Sequence, residues 1–200
     1  LAAFGLRLRC SALTGPTGLL ASRALPRLKI ASKYSRGGFF SRLLRMTTRN
    51  KIISLKKAVA LRVALKRRGK KAVFTNGCFD LLHAGHIASL EKARSLGGFL
   101  FLGINSDASV RRLKGPSRPM TRAADRAIVL AALAAVDAVI VFPQDTPLEL
   151  IKALRPDVLA KGADYRNGMV IGAEFAGRVA LIPLLKGRST TALARKLGQK

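Results

Sequence analysis

From Lys71 onward the chain alternates short apolar, β-branched runs with stretches of helical periodicity, and this alternation limits the fold more than any other feature. Residues 72–75, 99–104, 138–142, 157–161 and 179–183 read as five strands. Between them the spacing predicts helices over 86–96, from a cap at Ser106 to about Lys114, over 122–136 behind a cap at Thr121, and after Thr146-Pro147, where proline suits a first helical position. Ser189 or Thr190 caps a last helix. Ahead of the first strand, Ser54 reads as the N-cap of a helix with Ala58, Leu61, Val63 and Leu65 on its apolar face and a stop at Gly69. Strands that are apolar along their whole length and separated by helices predict an α/β fold. It is a doubly wound (Rossmann-like), mainly parallel five-stranded sheet with helices on both faces. Ligands of such sheets sit beyond the carboxyl ends of the strands, where strand order reverses.

Charge divides the chain in two. It carries 37 Lys and Arg against 10 Asp and Glu, a net +27, and its first carboxylate is Asp80. Nineteen of the basic residues precede Asp80, which leaves 18 basic and 10 acidic residues for the remainder, a modest +8. Residues 1–50 therefore read as a basic leader and residues 51–200 as the folded domain. The leader's Arg, Ser, Leu and Ala without acid match a mitochondrial or plastid transit peptide. They equally match a disordered tail, or mistranslated sequence upstream of Met46. Charge excess that lies mostly ahead of Asp80, 6% aromatic residues and no RNA-module motif weigh against nucleic-acid binding. The run Lys66, Arg67, Arg68, Lys70, Lys71 suits a solvated helix C-terminus. Two cysteines, Cys10 and Cys78, exclude a disulfide scaffold, and no Cys/His cluster has zinc spacing. The longest apolar run, 127–136, is about half a membrane span. No P-loop motif is present, which excludes a P-loop kinase.

The chemistry concentrates where the first strand runs into Thr75-Asn76-Gly77-Cys78-Phe79-Asp80-Leu81-Leu82-His83-Ala84-Gly85-His86. His83 and His86 are the only histidines of the chain, and both stand at a predicted helix start. A helix start offers free backbone N–H groups and the positive end of the dipole, which suits phosphate. Gly77 and Gly85 let a phosphate chain approach the backbone, and two imidazoles can hydrogen-bond its oxygens. A metal site would need a third ligand, which the spacing does not supply. Farther along, Arg111, Arg112 and Lys114 precede the Gly115-Pro116 turn, on the surface or reaching toward phosphate. Arg126, in a largely apolar helix, wants a partner in a salt bridge or a ligand. Lys161-Gly162-Ala163-Asp164-Tyr165 after strand four suits sugar-phosphate or nucleotide contacts, or an ordinary polar turn. Gly187-Arg188-Ser189-Thr190-Thr191 forms a second phosphate cradle, an N-cap, or both.

His83, Gly85 and His86 make a His-x-Gly-His signature that resembles the nucleotidyltransferase superfamily of cytidylyl- and adenylyltransferases. The blocks FTNGCFDLLHAGH, GINSDASVRRLKGPSRP, DRAIVLAALAAVDAVIVF, DTPLELIKALRPDVLAKGADY and GRSTT follow in order. Together, over about residues 51–200, they are similar to the adenylyltransferase domain of bacterial ADP-heptose synthases. The resemblance implies transfer of adenylyl from ATP to D-glycero-β-D-manno-heptose 1-phosphate, giving ADP-heptose and pyrophosphate for lipopolysaccharide core synthesis. It implies catalytic roles for His83, His86 and Lys114. Nucleotide contacts fall to Thr75, Asn76, Gly77, Phe79, Asp80, Gly85, Arg111, Arg126, Lys161, Gly162, Ser189 and Thr190, and acceptor contacts to Asp164 and Tyr165. Mg²⁺ comes with ATP rather than in a protein cage. The implied partners are small molecules and a separate heptose kinase, since the chain has no room for a kinase domain; a homodimer stays open, and neither nucleic acid nor a membrane span is expected. The location is cytoplasmic, or mitochondrial or plastidic if the leader is a targeting signal. Two other readings remain: a cytidylyltransferase for glycerol 3-phosphate or phosphoethanolamine, and a catalytically silent scaffold or basic nucleic-acid binder. Residues 172–177 are shorter than the family pattern, so a truncated helix is expected before strand five.

Overall fold

The computed structural model describes residues 47–163, 170–183, 185 and 198. Five strands, β1 (Ala72–Gly77), β2 (Phe99–Asn105), β3 (Ala138–Phe142), β4 (Val158–Gly162) and β5 (Val179–Ile182), form one sheet in the order β3-β2-β1-β4-β5. Every pairing is parallel. The helices are α1 (Leu55–Arg67), α2 (Ala84–Arg94), α3 (Asp107–Lys114), α4 (Ala123–Ala132) and α5 (Leu148–Leu154), with short 3-10 turns at Thr48–Lys51 and Ala173–Phe175. Strand order reverses between β1 and β4, so the crevice for a ligand opens beyond their carboxyl ends.

Alternation along the strands builds a core on each face. Val73, Leu100, Leu102 and Ile104 pack with Leu90 and Ala93 of α2 and Ala127, Leu130 and Ala131 of α4. Phe74, Phe101, Ile140 and Leu159 pack on the other side with Ala58 and Leu65 of α1 and Leu150, Ile151 and Leu154 of α5. Gly103 in β2 leaves room on that second face for the Phe74 ring, since a Cβ there would stand 2.9 Å from Phe74 Cζ and 3.0 Å from Leu150 Cδ2. The caps are local and legible. The Ser54 hydroxyl accepts from Lys57 N at 3.3 Å, and Ser106 does the same for Ser109 N at 3.3 Å.

Several expectations from the sequence need correction. Val63 is exposed, and Arg62 is buried beside it, because Asp157 supplies a carboxylate 2.9 Å from its Nη2. Thr121 does not cap α4: Arg122 occupies the cap position, while the Thr121 hydroxyl donates to Asp80. That helix ends at Ala132 rather than Val136, and Lys51 Nζ, donating to the carbonyls of Leu133 and Val136, holds the chain that follows. Thr48–Asn50, assigned above to the leader, belong to a 3-10 turn, and Ile53 N donates to Val139 O just beyond it. The truncated helix expected before β5 is found as such: residues 172–177 hold only the short 3-10 turn Ala173–Phe175.

Two aspartates repeat one device at the amino end of the sheet. Asp157, just before β4, accepts from Ala72 N of β1 at 2.7 Å and pairs with Arg62 of α1. Asp137, just before β3, accepts from Leu100 N of β2 at 2.8 Å and pairs with Arg94 of α2 at 2.7 Å. Each carboxylate thus joins two neighbouring strands to a helix. The exposed run Lys66, Arg67, Arg68, Lys70, Lys71 precedes β1 at this same end, away from the crevice.

Candidate active site

The loop after β1 is shaped by close packing. Gly77 cannot carry a side chain, because a Cβ there would meet the Phe79 ring at 2.9 Å. Phe79 takes a left-handed backbone, φ 47°, and so turns the chain toward α2. His83 occupies the N-cap position of α2 without giving it a side-chain cap, while its carbonyl accepts from His86 N at 2.9 Å.

His83 and His86 stack with ring centroids 3.9 Å apart and planes inclined by 20°, and Phe79 lies 5.1 Å from the His86 ring. Burial, together with the charges of His83 and Lys114, pushes the pKa of His86 down to about 4. At neutral pH this imidazole is uncharged. Its Nδ1 is buried and has no hydrogen-bond partner among the described residues. A buried polar atom left unmatched costs stability unless something binds it. Lys114, at the exposed end of α3, projects its charge onto both His86 and the Cys78 thiol. Burial dominates at Cys78 and raises its pKa, which keeps the thiol protonated.

Asp80 is buried and committed to the protein. It accepts from Arg118 Nη1 at 2.8 Å, from Met120 N at 2.7 Å and from Thr121 N at 3.2 Å. Burial works against its charge, yet the Arg118 hydrogen bond and the two amides outweigh burial and hold the carboxyl below its ordinary range. Asp80 therefore pins the 115–122 loop to the histidine loop. Arg126 is turned inward in the same way. Its guanidinium donates to Thr121 O at 2.9 Å, Cys78 O at 2.6 Å and Asp107 Oδ1 at 2.7 Å. Only 3% of it is exposed, and its three bonds brace the loop that carries Cys78 against Thr121 and Asp107. Sequence reasoning missed Arg118 and Asp107, whose partners lie 38 and 19 residues away, where no local pattern points.

The structure thus brings Gly77, Phe79, Gly85, His83, His86 and the charge of Lys114 to one place, at the carboxyl end of β1. Thr75 and Asn76 end the strand beneath them, and Lys161, 6% exposed near the end of β4, donates to Asn76 Oδ1 across the reversal point. Gly162 ends β4. Arg111 is exposed on α3 and has no ion pair among the described residues, while its neighbour Arg112 is held by Asp145 at 2.6 Å. Asp164, Tyr165, Ser189 and Thr190 lie outside the described residues, as does the last helix expected after them.

A parallel sheet with this reversal point, and two stacked histidines at the start of the helix that follows its first strand, make the arrangement of a Rossmann-like nucleotidyltransferase. The chain belongs to the cytidylyltransferase-like family, whose model matches residues 74–187. Bifunctional protein HldE of Magnetococcus marinus is 63% identical over 134 residues, covering 65% of this chain and 28% of that protein. Its namesake in Campylobacter curvus is 48% identical over 171 residues, covering 84% of this chain and 36% of the relative. The chain thus spans about a third of the length of these curated relatives. Among solved structures, a pantoate-beta-alanine ligase from Francisella tularensis shares the fold, with a TM-score of 0.52 and 18% identity over 70% of this chain and 68% of that one.

Proposed function

We propose that the chain is an adenylyltransferase that joins ATP to D-glycero-β-D-manno-heptose 1-phosphate, releasing pyrophosphate and ADP-heptose for lipopolysaccharide core synthesis. The stacked His83–His86 pair at the start of α2 carries this reading, because it suits an anionic, phosphate-centred transition state. The sequence blocks and the identity to HldE proteins favour ADP-heptose chemistry over other acceptors.

In this reaction an oxygen of the sugar phosphate attacks the α-phosphorus of ATP in line. The new P–O bond forms as the bond to the bridging oxygen breaks, and pyrophosphate leaves with that electron pair. The nucleophile is already anionic and needs no base. Catalysis is positioning plus charge stabilisation. His83 and His86 hold the α-phosphate and the departing bridge oxygen, and Lys114 neutralises the β- and γ-phosphates. Ser189 and Thr190 add a second phosphate cradle, Thr75, Gly77, Gly85 and Gly162 allow the nucleotide close to the backbone, Arg111 adds charge at its rim, and Asp164 and Tyr165 contact the acceptor. Among the described residues no three His, Cys, Asp or Glu side chains gather as a metal cage, and Asp80 and Asp107 are already engaged. Mg²⁺ would come on the nucleotide's phosphates, where it would neutralise charge. No helix among the described residues is long and apolar enough to cross a membrane. The reading places the enzyme in the cytoplasm, acting on small molecules and supplied by a heptose kinase activity.

Pyrophosphate release tests this directly. ATP and CTP are each paired with heptose 1-phosphate, glycerol 3-phosphate and phosphoethanolamine. Release with ATP and heptose 1-phosphate alone is expected, and His86→Asn should lower kcat by about 10²–10³. Release only with CTP would keep the chemistry and overturn the substrate, and a silent folded protein would overturn both.

A further inference from the structure

Asn76 and Lys161 face each other across the one place in the sheet where strand order reverses. Each is the penultimate residue of its strand, β1 or β4. The pairing Val73↔Val158 and Phe74↔Leu159, continued two residues, sets Asn76 opposite Lys161. Phe74 and Leu159 point to the face covered by α1 and α5, so by alternation Asn76 and Lys161 point there too. The histidine pair sits on α2, which covers the other face. The crevice is therefore walled from both sides.

Lys161 is buried, and its ammonium donates to Asn76 Oδ1. An ammonium has only donors, so this bond decides which end of the carboxamide faces which way. The oxygen must point to Lys161, and the two N–H donors of Nδ2 must point elsewhere. Asn76 makes no other side-chain hydrogen bond among the described residues. Its backbone neighbour is Gly77, at the mouth of the phosphate loop.

We infer that Lys161 is a positioning residue: it presets the Asn76 amide as a double N–H donor to a phosphate oxygen in the crevice, rather than contacting the nucleotide itself. The phosphate belongs to the nucleotide or to the acceptor, two sources of one chemistry. The inference rests on the nucleotidyl-transfer reading given above and deepens it.

The test uses the full chain with Asn76→Asp, Lys161→Met and the double variant, in the pyrophosphate-release assay. Asn76→Asp keeps an acceptor for Lys161, and with it the fold, but deletes both donors; kcat/KM should fall about 10²-fold. Lys161→Met should cost about 10–100-fold, the usual effect of losing a partner that orients a working group. The double variant should be no worse than Asn76→Asp, because Lys161 acts through Asn76. A raised KM for ATP assigns the phosphate to the nucleotide, a raised KM for the acceptor assigns it to the acceptor, and a fall in kcat alone assigns it to the group in transfer. Wild-type turnover by Asn76→Asp would overturn the inference, and so would losses that multiply in the double variant, which would mean that Lys161 touches substrate independently. If the wild type itself turns nothing over, the transfer reading fails. The inference is then decided by calorimetric binding of ATP and of pyrophosphate, where unchanged affinity in Asn76→Asp refutes it.

Discussion

Replacing Asp80 with alanine should loosen the protein by a predictable amount. The carboxylate is 4% exposed and receives three donors, two of them short, from Arg118 and the Met120 amide. A hydrogen bond to a charged group contributes about 1.5–3 kcal/mol. The longer bond from Thr121 N, at 3.2 Å on an exposed residue, can be replaced by water and adds little. Arg118 keeps some access to solvent, its side chain being 21% exposed, which moves the sum to the low side. The expected loss is about 3 kcal/mol for Asp80→Ala. Asp80→Asn keeps one acceptor oxygen and should lose about half as much. In urea this reads as a lower midpoint at unchanged slope, and on heating as a Tm lower by roughly 6–12 °C at this chain length. The effect carries a pH signature. Because the folded-state pKa of Asp80 lies below its ordinary value of about 3.8, its stabilisation is fully present above that pH and is lost as pH falls through the folded value. The gap between wild type and Asp80→Asn should therefore hold steady from neutral pH to about 4.5 and close in stronger acid. A loss under about 1 kcal/mol for Asp80→Ala would refute the claim that this carboxylate pins the 115–122 loop.

Arg126→Met should cost about 3 kcal/mol in chemical denaturation, because Asp107, Cys78 O and Thr121 O all lose a donor at a nearly sealed site; equal stability would show the brace to be dispensable. Proton NMR of the two imidazoles should give His86 a midpoint near 4, far below a free histidine. The unfolded chain then binds the extra proton between about 4 and 6.5, so His86 favours folding fully above 6.5 and progressively less as pH falls toward 4. Adding ATP should raise that midpoint, since its negative charge opposes the effect of His83 and Lys114, and an unmoved midpoint would place the nucleotide elsewhere.

The strands and most helices are legible because each depends on near neighbours. Continuous apolar runs report a sheet covered on both faces, and Ser54 and Ser106 cap the helices they precede by reaching three residues ahead. What escaped the sequence depends on distant partners. Arg62 is buried and Val63 exposed only because Asp157 lies 95 residues downstream, a pairing that no helical periodicity contains. Thr121 has the chemistry of a cap, but Asp80, 41 residues earlier, claims its hydroxyl. The histidine loop was readable for the opposite reason: its glycines, both histidines and the helix start form one contiguous stretch. The protein partners of Asp80 and Arg126 were not readable in the same way, because Arg118 and Asp107 lie 38 and 19 residues from them.

The Asp137 and Asp157 clamps have a consequence at the opposite end of the sheet. Sliding β4 by one residue against β1 would pull the Asp157 carboxylate off Ala72 N, and it would also carry Lys161 about 3.3 Å along the strand and flip it to the other face. The clamp penalises that slip at its origin. Alignment of the crevice walls is thus calibrated about 13 Å upstream by an acid that never meets a substrate. Fine adjustment of the chemistry is open at the loops, while the ruler against which those loops are measured is fixed at the far edge.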